Sequence, residues 1–231
     1  MEYKNSNELC EQLAAKYNGI CLLRFSCGKD AVAAYIQLRR YFKEIIPVYH
    51  YLHPDLDFIN KSLEYYENII GRHIIRVPNR MLYKHLNDGL FQTKKSWSFI
   101  KKMKLPNFDN DDVNGYIKDD LGLNENIMTA IGVRSADSLN RWRTINKYGA
   151  INEKRKTFYP VYDWNMERLI KEVKDSGIKL PVDYKIWGKS FDGLDYRFIR
   201  PLKDHFPDDY EKLKELFPLI DTEIKRYEFQ N

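Results

Sequence analysis

Hydrophobic positions along the chain alternate between two rhythms. Over residues 6–17 they recur at helical spacing (Leu9, Leu13, Ala14, Tyr17), and Asn18-Gly19 supplies a stop signal, so the chain is expected to open with an amphipathic helix. Residues 20–25 (Ile-Cys-Leu-Leu-Arg-Phe) form a nearly continuous apolar run, the pattern of a strand buried on both faces of a parallel sheet. A polar pentad, Ser26-Cys27-Gly28-Lys29-Asp30, ends that run. From Ala31 the helical rhythm returns in Ala31, Val32, Ala34, Tyr35, Ile36 and Leu38, with Arg39, Arg40 and Lys43 near the end, where cations complement the helix dipole. A second strand is expected over 45–52, a helix over about 57–70 with Phe58, Leu63 and Tyr66 inward, and a third strand over 73–77. This alternation predicts an α/β fold, a doubly wound and mostly parallel sheet with right-handed crossovers.

Residues 79–125 break the rhythm. They carry a basic cluster (Lys94, Lys95, Lys101, Lys102, Lys104), an acidic turn (Asp109, Asp111, Asp112) and scattered aromatics, and read as a helical or loop insertion. A fourth strand is expected over 127–133 and a helix over 135–145. Beyond 159 the pattern is mostly helix and turn: a helix over 165–176, a Pro/Gly/Tyr-rich stretch to about 200, and helices near 208–216 and 219–227. The expected organisation is an α/β domain over 1–158, interrupted at 79–125, and a helical extension over 159–231 packed on the same domain.

At 231 residues, 43% hydrophobic and 31% charged, the composition is that of a folded chain with a sizeable core rather than a disordered one. No apolar stretch is long enough to span a bilayer, and Met1-Glu2-Tyr3-Lys4-Asn5 lacks the apolar run of a leader, so a cytoplasmic protein without membrane contact is expected. The net charge of +5 suits a phosphate-bearing ligand but is weak support for a nucleic-acid groove. Three cysteines (Cys10, Cys21, Cys27) with no C-x-x-C spacing argue against a disulfide framework, a zinc knuckle or an iron–sulfur cluster, and no metal-ligand set is read.

The pentad lies on a strand-to-helix turn, where backbone N–H groups and the helix dipole attract anions. Gly28 permits close backbone approach, Ser26 offers a hydroxyl, Lys29 a charge, and Asp30 a helix cap or an orienting carboxylate. The order does not match a Walker A loop, and a plain helix cap with a solvated lysine fits the same five residues. Phe25-Ser26-Cys27-Gly28-Lys29-Asp30-Ala31 nevertheless resembles the S-G-G-K-D-S pyrophosphate loop of the PP-loop superfamily, in its phosphoadenosine phosphosulfate reductase-like branch. Cys27 replaces the first glycine and Ala31 the terminal serine. Ile131-Gly132-Val133-Arg134-Ser135-Ala136-Asp137-Ser138 followed by Arg141 is similar to that branch's G-x-R-x-x-E-S-x-x-R element. Tyr159-Pro160-Val161-Tyr162-Asp163-Trp164-Asn165 is similar to its Y-P-L-x-D-W-T segment, and Tyr184 with Gly188 to its Y-x-x-G. The resemblance spans roughly residues 20–190.

The resemblance implies an adenine nucleotide α-hydrolase-like fold and a nucleotide site built from Phe25, Ser26, Cys27, Gly28, Lys29, Asp30, Gly132, Arg134 and Arg141, with Tyr51 and Leu52 at the adenine. It implies ATP or phosphoadenosine phosphosulfate as ligand, Mg²⁺ with it, and catalytic roles for Lys29, Asp30 and Arg134. On a helix over 135–145, Arg134 and Arg141 would share one side, their planar forks suited to phosphate; an arginine–Asp137 surface network is the plainer alternative. His50 and His53 lack metal-ligand spacing, and Trp97, Trp142, Trp164 and Trp187 read as core or interface anchors. Reductases of this branch attack sulfur with a cysteine in a C-terminal tail; this chain has none after Cys27, which disfavours that reaction and an iron–sulfur cluster. The preferred expectation is cleavage of the α–β bond of ATP with AMP passed to an unknown acceptor. Alternatives are a phosphosulfate-nucleotide enzyme using Cys27 or a partner's thiol, and a non-catalytic nucleotide-binding subunit. Lysine-, asparagine- and tyrosine-rich composition fits a phage or bacterial origin, and a protein partner, a nucleic acid or a second copy are left open as partners.

Overall fold

The computed structural model describes residues 3–230; the leader reading falls in part on Met1 and Glu2, which lie outside them. The chain runs α1 (Ser6–Lys16), β1 (Ile20–Arg24), α2 (Lys29–Leu38), β2 (Glu44–Tyr51), α3 (Asp57–Ile70) and β3 (Ile75–Pro78). Three helices follow in the irregular region: α4 (Arg80–Asn87), α5 (Lys94–Met103) and α6 (Asn110–Asp120). Then come β4 (Thr129–Ile131), a 3-10 turn (Ser135–Asp137), α7 (Leu139–Tyr148), β5 (Ile151–Asn152) and β6 (Thr157–Phe158). The remainder is helical: α8 (Met166–Asp175), α9 (Asp183–Ile186), α10 (Tyr196–His205), α11 (Pro207–Leu216) and α12 (Asp221–Gln230). Among the described residues no helix is long and apolar enough to cross a membrane.

The sheet order is β3-β2-β1-β4-β6-β5. β1 pairs in parallel with β2 on one side and β4 on the other, β4 pairs in parallel with β6, and only β5 runs antiparallel. This is the expected doubly wound α/β fold. The chain winds outward from β1 through β2 to β3, then returns to place β4 on the opposite side of β1, so the topological switch point lies between β1 and β4. Leu22 and Leu23, fully buried, explain the unbroken apolar run.

Two compact units are distinguished. The first comprises residues up to Tyr49, Glu67–Ile75 and Asp111–Leu180. Within it α2 packs on β1, β4 and α8, Phe42 stacks on Phe158, and the Trp164 indole donates to Ser6 Oγ. The second comprises His50–Tyr66, Arg76–Asn110 and Pro181 onward. Its core is an aromatic cluster in which Phe58 stacks on Phe206 at 4.8 Å and meets Trp187 and Phe191. Buried Asp209 accepts the Asp57 and Phe58 N–H groups, satisfying the first turn of α3 in place of a local cap.

Several expected boundaries move. α2 begins at Lys29 rather than Ala31, with Gly28 as N-cap, so Asp30 does not cap the helix. The fourth strand shrinks to three residues because only Thr129–Ile131 find ladder partners. The single helix expected over 135–145 is instead the 3-10 turn and then α7: Ser138 adopts an extended conformation and its hydroxyl accepts from Arg141 N–H, restarting the helix there. Arg134 and Arg141 therefore do not share one helix. The stretch before residue 200, expected as turn, holds α9 and the start of α10, which continues through Pro201 because Phe198, Ile199 and Leu202 bury one face and Asp195 caps its start.

Candidate functional site at the switch point

The register sets β1 and β4 side by side, Arg24 opposite Ile131, so Phe25-Ser26 and Gly132 leave the sheet together. Buried Phe25 extends β1 by one more ladder bond, its N–H donating to Val48 O (2.8 Å). The chain then reverses at Cys27, whose φ of +61° lies in the left-handed region. That conformation is the physical reason a glycine suits this position, and the buried cysteine holds it at a steric cost. Gly28 is extended and makes no side-chain cap bond. As N-cap, Gly28 brings no capping side chain to the first turn of α2, where the helix dipole favours an anion.

Gly132 fixes the other wall. A Cβ there would lie 2.4 Å from the Asp30 carbonyl oxygen and 2.9 Å from Ala31 N, so only glycine lets the end of β4 approach the start of α2 this closely. Two residues on, Arg134 turns inward and is 2% exposed. Its Nε donates to Asp30 Oδ1 (2.9 Å) and its Nη2 to Asp137 Oδ1 (2.5 Å), while the Arg134 N–H donates to Asp137 Oδ2. Arg141 Nη1 donates to the same Asp137 oxygen (2.6 Å), and Lys29 Nζ to Asp30 Oδ2 (2.6 Å). Three cations, Lys29, Arg134 and Arg141, thus share two carboxylates, Asp30 and Asp137. The Arg–Asp137 alternative is present in altered form: the network is anchored on a buried arginine and joined to the turn. Ser135 ties the segment down by donating from N–H and Oγ to Tyr162 O.

The structure brings together Phe25, Ser26, Cys27, Gly28, Lys29, Asp30, Gly132, Arg134 and Arg141. Tyr51 ends β2 and Leu52 follows it, both in the second unit. Asp137 as the common acceptor of both arginines went unassigned, although its spacings of three from Arg134 and four from Arg141 were visible. The histidines gain no catalytic setting. His53 Nδ1 accepts the Asp55 N–H while Nε2 lies 3.1 Å from Lys212 O, and burial lowers its pKa, so the ring is neutral and structural. Among the described residues no group of three or more His, Cys, Asp or Glu side chains is placed to hold a metal. Of the tryptophans, Trp164 is fully buried and Trp187 joins the aromatic cluster, whereas Trp142 on α7 is half-exposed. Two thiols are muted, burial pushing Cys10 up to about 12 and raising Cys21, and Cys27 is buried at 4% exposure.

The fold and this turn define a class: a doubly wound α/β protein whose switch point brings together a helix N-terminus with a glycine N-cap and a cluster of cations. Strand order, turn and the Gly132–Arg134 segment agree with the PP-loop resemblance. No family model and no curated protein matches the chain. Among solved structures it is similar to a phosphoadenylyl-sulfate reductase from Candida auris in a phosphate complex, at 10% identity and a TM-score of 0.47, over 79% of this chain and 84% of that one. It is also similar to an NH3-dependent NAD synthetase from Campylobacter jejuni (14%, 0.44, 97% and 93%) and to a U34-tRNA thiolase from Methanococcus maripaludis (12%, 0.43, 94% and 79%). Likeness at this level assigns neither activity nor ligand.

Proposed function

We propose that the chain binds an adenine nucleotide at the β1–α2 turn and cleaves the α–β phosphate bond of ATP, passing AMP to an acceptor oxygen. The observation that carries this reading is the glycine-capped first turn of α2, beside Lys29 and walled by Gly132 and Arg134. A helix N-terminus of this kind is suited to phosphate oxygens through its backbone N–H groups and dipole. In the reaction the acceptor oxygen bonds to the α-phosphorus, the bond from that phosphorus to the β-bridging oxygen breaks, and pyrophosphate leaves with the electron pair. The acceptor's proton passes to solvent. Lys29 and the α2 amides hold the departing phosphates, where stabilisation of developing charge counts most. Buried Arg134 acts as a positioning residue that fixes Asp30 and Asp137, and Arg141, half-exposed, is the fork able to reach phosphate.

The residues present do not fit a protein-held Mg²⁺. Both Asp30 oxygens are engaged by cations, and among the described residues no group of three or more His, Cys, Asp or Glu side chains is placed to hold a metal. Mg²⁺ belongs here as the nucleotide's own counter-ion on phosphate oxygens. A sulfur-transfer reaction using the chain's own thiol is disfavoured by the burial of Cys10, Cys21 and Cys27.

Calorimetry with ATP and phosphoadenosine phosphosulfate, followed by mass spectrometry of products, tests the reading. AMP with pyrophosphate supports it; ADP with phosphate, or unchanged ligand, overturns the chemistry. The double variant Gly28→Val/Lys29→Ala, folded by circular dichroism, is expected to lose about 1.5–3 kcal/mol of nucleotide affinity, tenfold or more. Unchanged affinity places the ligand elsewhere.

A further inference from the structure

The proposed reaction leaves one pronounced feature of the chain unused: the lysine cluster in the irregular region. It falls on α5, held by Thr93, whose hydroxyl accepts the Ser96 N–H. Lys94, Lys95, Lys101 and Lys102 lie on this helix and Lys104 ends it, all five exposed, and the helix carries no carboxylate. Among the described residues no Asp or Glu forms an ion pair with any of the five. Like charges this dense repel one another, so a cluster without internal counter-charge is stabilised by an external anion.

At 100° per residue, Lys94, Lys95, Lys101 and Lys102 occupy one face, while Trp97 and Ile100 lie on another. Trp97 packs back toward α4: its Nε1 donates to Asn87 O, and its indole fills the space beside Gly89. Lys101 covers one face of the ring, its Nζ 3.5 Å from the centroid. Phe99 (65% exposed) and Met103 (55% exposed) border the lysine face on its other side. The lysine pairs 94/95 and 101/102 are seven residues apart, about 10.5 Å along the axis. Three phosphate steps of a stacked strand, at about 3.4 Å each, span nearly the same length.

We propose that this face of α5 binds single-stranded nucleic acid, the lysines meeting successive phosphates and Phe99 offering its open ring to an unstacked base. Lysine suits the task as a compact, rotatable point charge that follows a backbone without reading sequence. An acidic protein segment could meet the lysines but brings no base to stack on the exposed Phe99 ring beside them. The binding is independent of the nucleotide reaction and survives if that reading fails.

Fluorescence anisotropy with labelled 20-nucleotide oligo-U and oligo-dT, across 50–300 mM KCl, tests it on the full chain. Four phosphate contacts, one for each lysine of the face, give a slope of log K against log salt of about −2.8, at roughly 0.7 per contact for single strands. Lys95→Glu/Lys102→Glu is expected to flatten the slope to about −1.4 and weaken binding at least tenfold, with ATP affinity by calorimetry unchanged. Phe99→Ala is expected to weaken oligo-U about fivefold and a 20-base-pair duplex hardly at all, since only unstacked bases meet the ring. Absence of binding by the unaltered chain, or equal binding by the double variant, overturns the proposal. So does equal affinity for polyglutamate or for phosphatidylserine vesicles, which would assign the face to an acidic protein or a membrane.

Discussion

Replacing Gly132 with alanine adds one methyl group where the structure has no room for it. The new Cβ would stand 2.4 Å from the Asp30 carbonyl oxygen, against about 3.4 Å for ordinary contact, and the obstructing atoms are backbone, which no rotamer change can move. The end of β4 and the start of α2 must separate by about 1 Å. Overpacking of this kind costs about 1–3 kcal/mol, and for a chain of this length 2 kcal/mol lowers the melting temperature by about 4–8 °C. The larger effect falls on the site. A 1 Å displacement moves the α2 amides and loosens the Arg134–Asp30 pair, and misplacement of that size costs up to about a hundredfold in catalytic effect. Differential scanning fluorimetry and ATP calorimetry, run below the transition, measure the two consequences. Gly115→Ala is the control: Gly115 lies within α6 with nothing near its absent Cβ, so alanine should stabilise by up to about 1 kcal/mol and leave ATP affinity alone. If Gly132→Ala matches the parent in both melting temperature and ATP affinity, the apposition of β4 and α2 as the basis of the site is wrong.

Cys27→Gly removes a side chain held at φ +61°; relief of about 1 kcal/mol of strain roughly offsets the lost packing, so melting temperature should stay within about 2 °C and nucleotide affinity should persist, whereas loss of affinity would give the thiol a direct role. Asp137→Ala strips one of two partners from a buried guanidinium and should cost about 3 kcal/mol, read as a fall of about 6–12 °C; a smaller change than 2 °C would mean that Asp30 alone holds Arg134. In the second unit the Tyr210 hydroxyl donates to Asp221 (2.6 Å) and, with Lys203 and Lys214, holds that carboxyl down to about 2. Because the folded value is depressed, this stabilisation is complete above about pH 4 and is lost as the pH falls through 2. Tyr210→Phe should cost about 1 kcal/mol at neutral pH, after allowance for the carboxyl's partial exposure, and nothing near pH 2. A difference in melting temperature that does not vary with pH would exclude the linkage.

What the sequence reveals depends on how local its cause is. The nearly unbroken run at residues 20–25 announced a central parallel strand because burial on both faces leaves Arg24, near its end, as its one polar position. The turn after it was visible because Gly28 and Lys29 have few reasons to follow such a strand. Arg134 kept its setting hidden: its burial depends on Asp30, 104 residues away, and no local pattern distinguishes a buried arginine from a solvated one. β5 and β6, two residues each, are too short to show alternation. α10 was concealed by Pro201, since a proline normally ends a helical reading, and here the burial of Phe198, Ile199 and Leu202 outweighs one forfeited backbone bond.

The interleaving of the two units bears on how the chain matures during synthesis. It crosses between them five times, after Tyr49, Tyr66, Ile75, Asn110 and Leu180. At a translation rate of about 5–20 residues per second, the opening segment through Tyr49 waits roughly 7–26 s before Leu180 emerges and its unit can close. The free edge of β1 lacks its neighbour β4 until Ile131 emerges, roughly 4–16 s after Tyr49, a period in which chaperones or aggregation can act. For the same reason a single break anywhere from residue 50 to 180 divides both units at once, so splitting the gene in two within that span yields no fragment that contains either one whole.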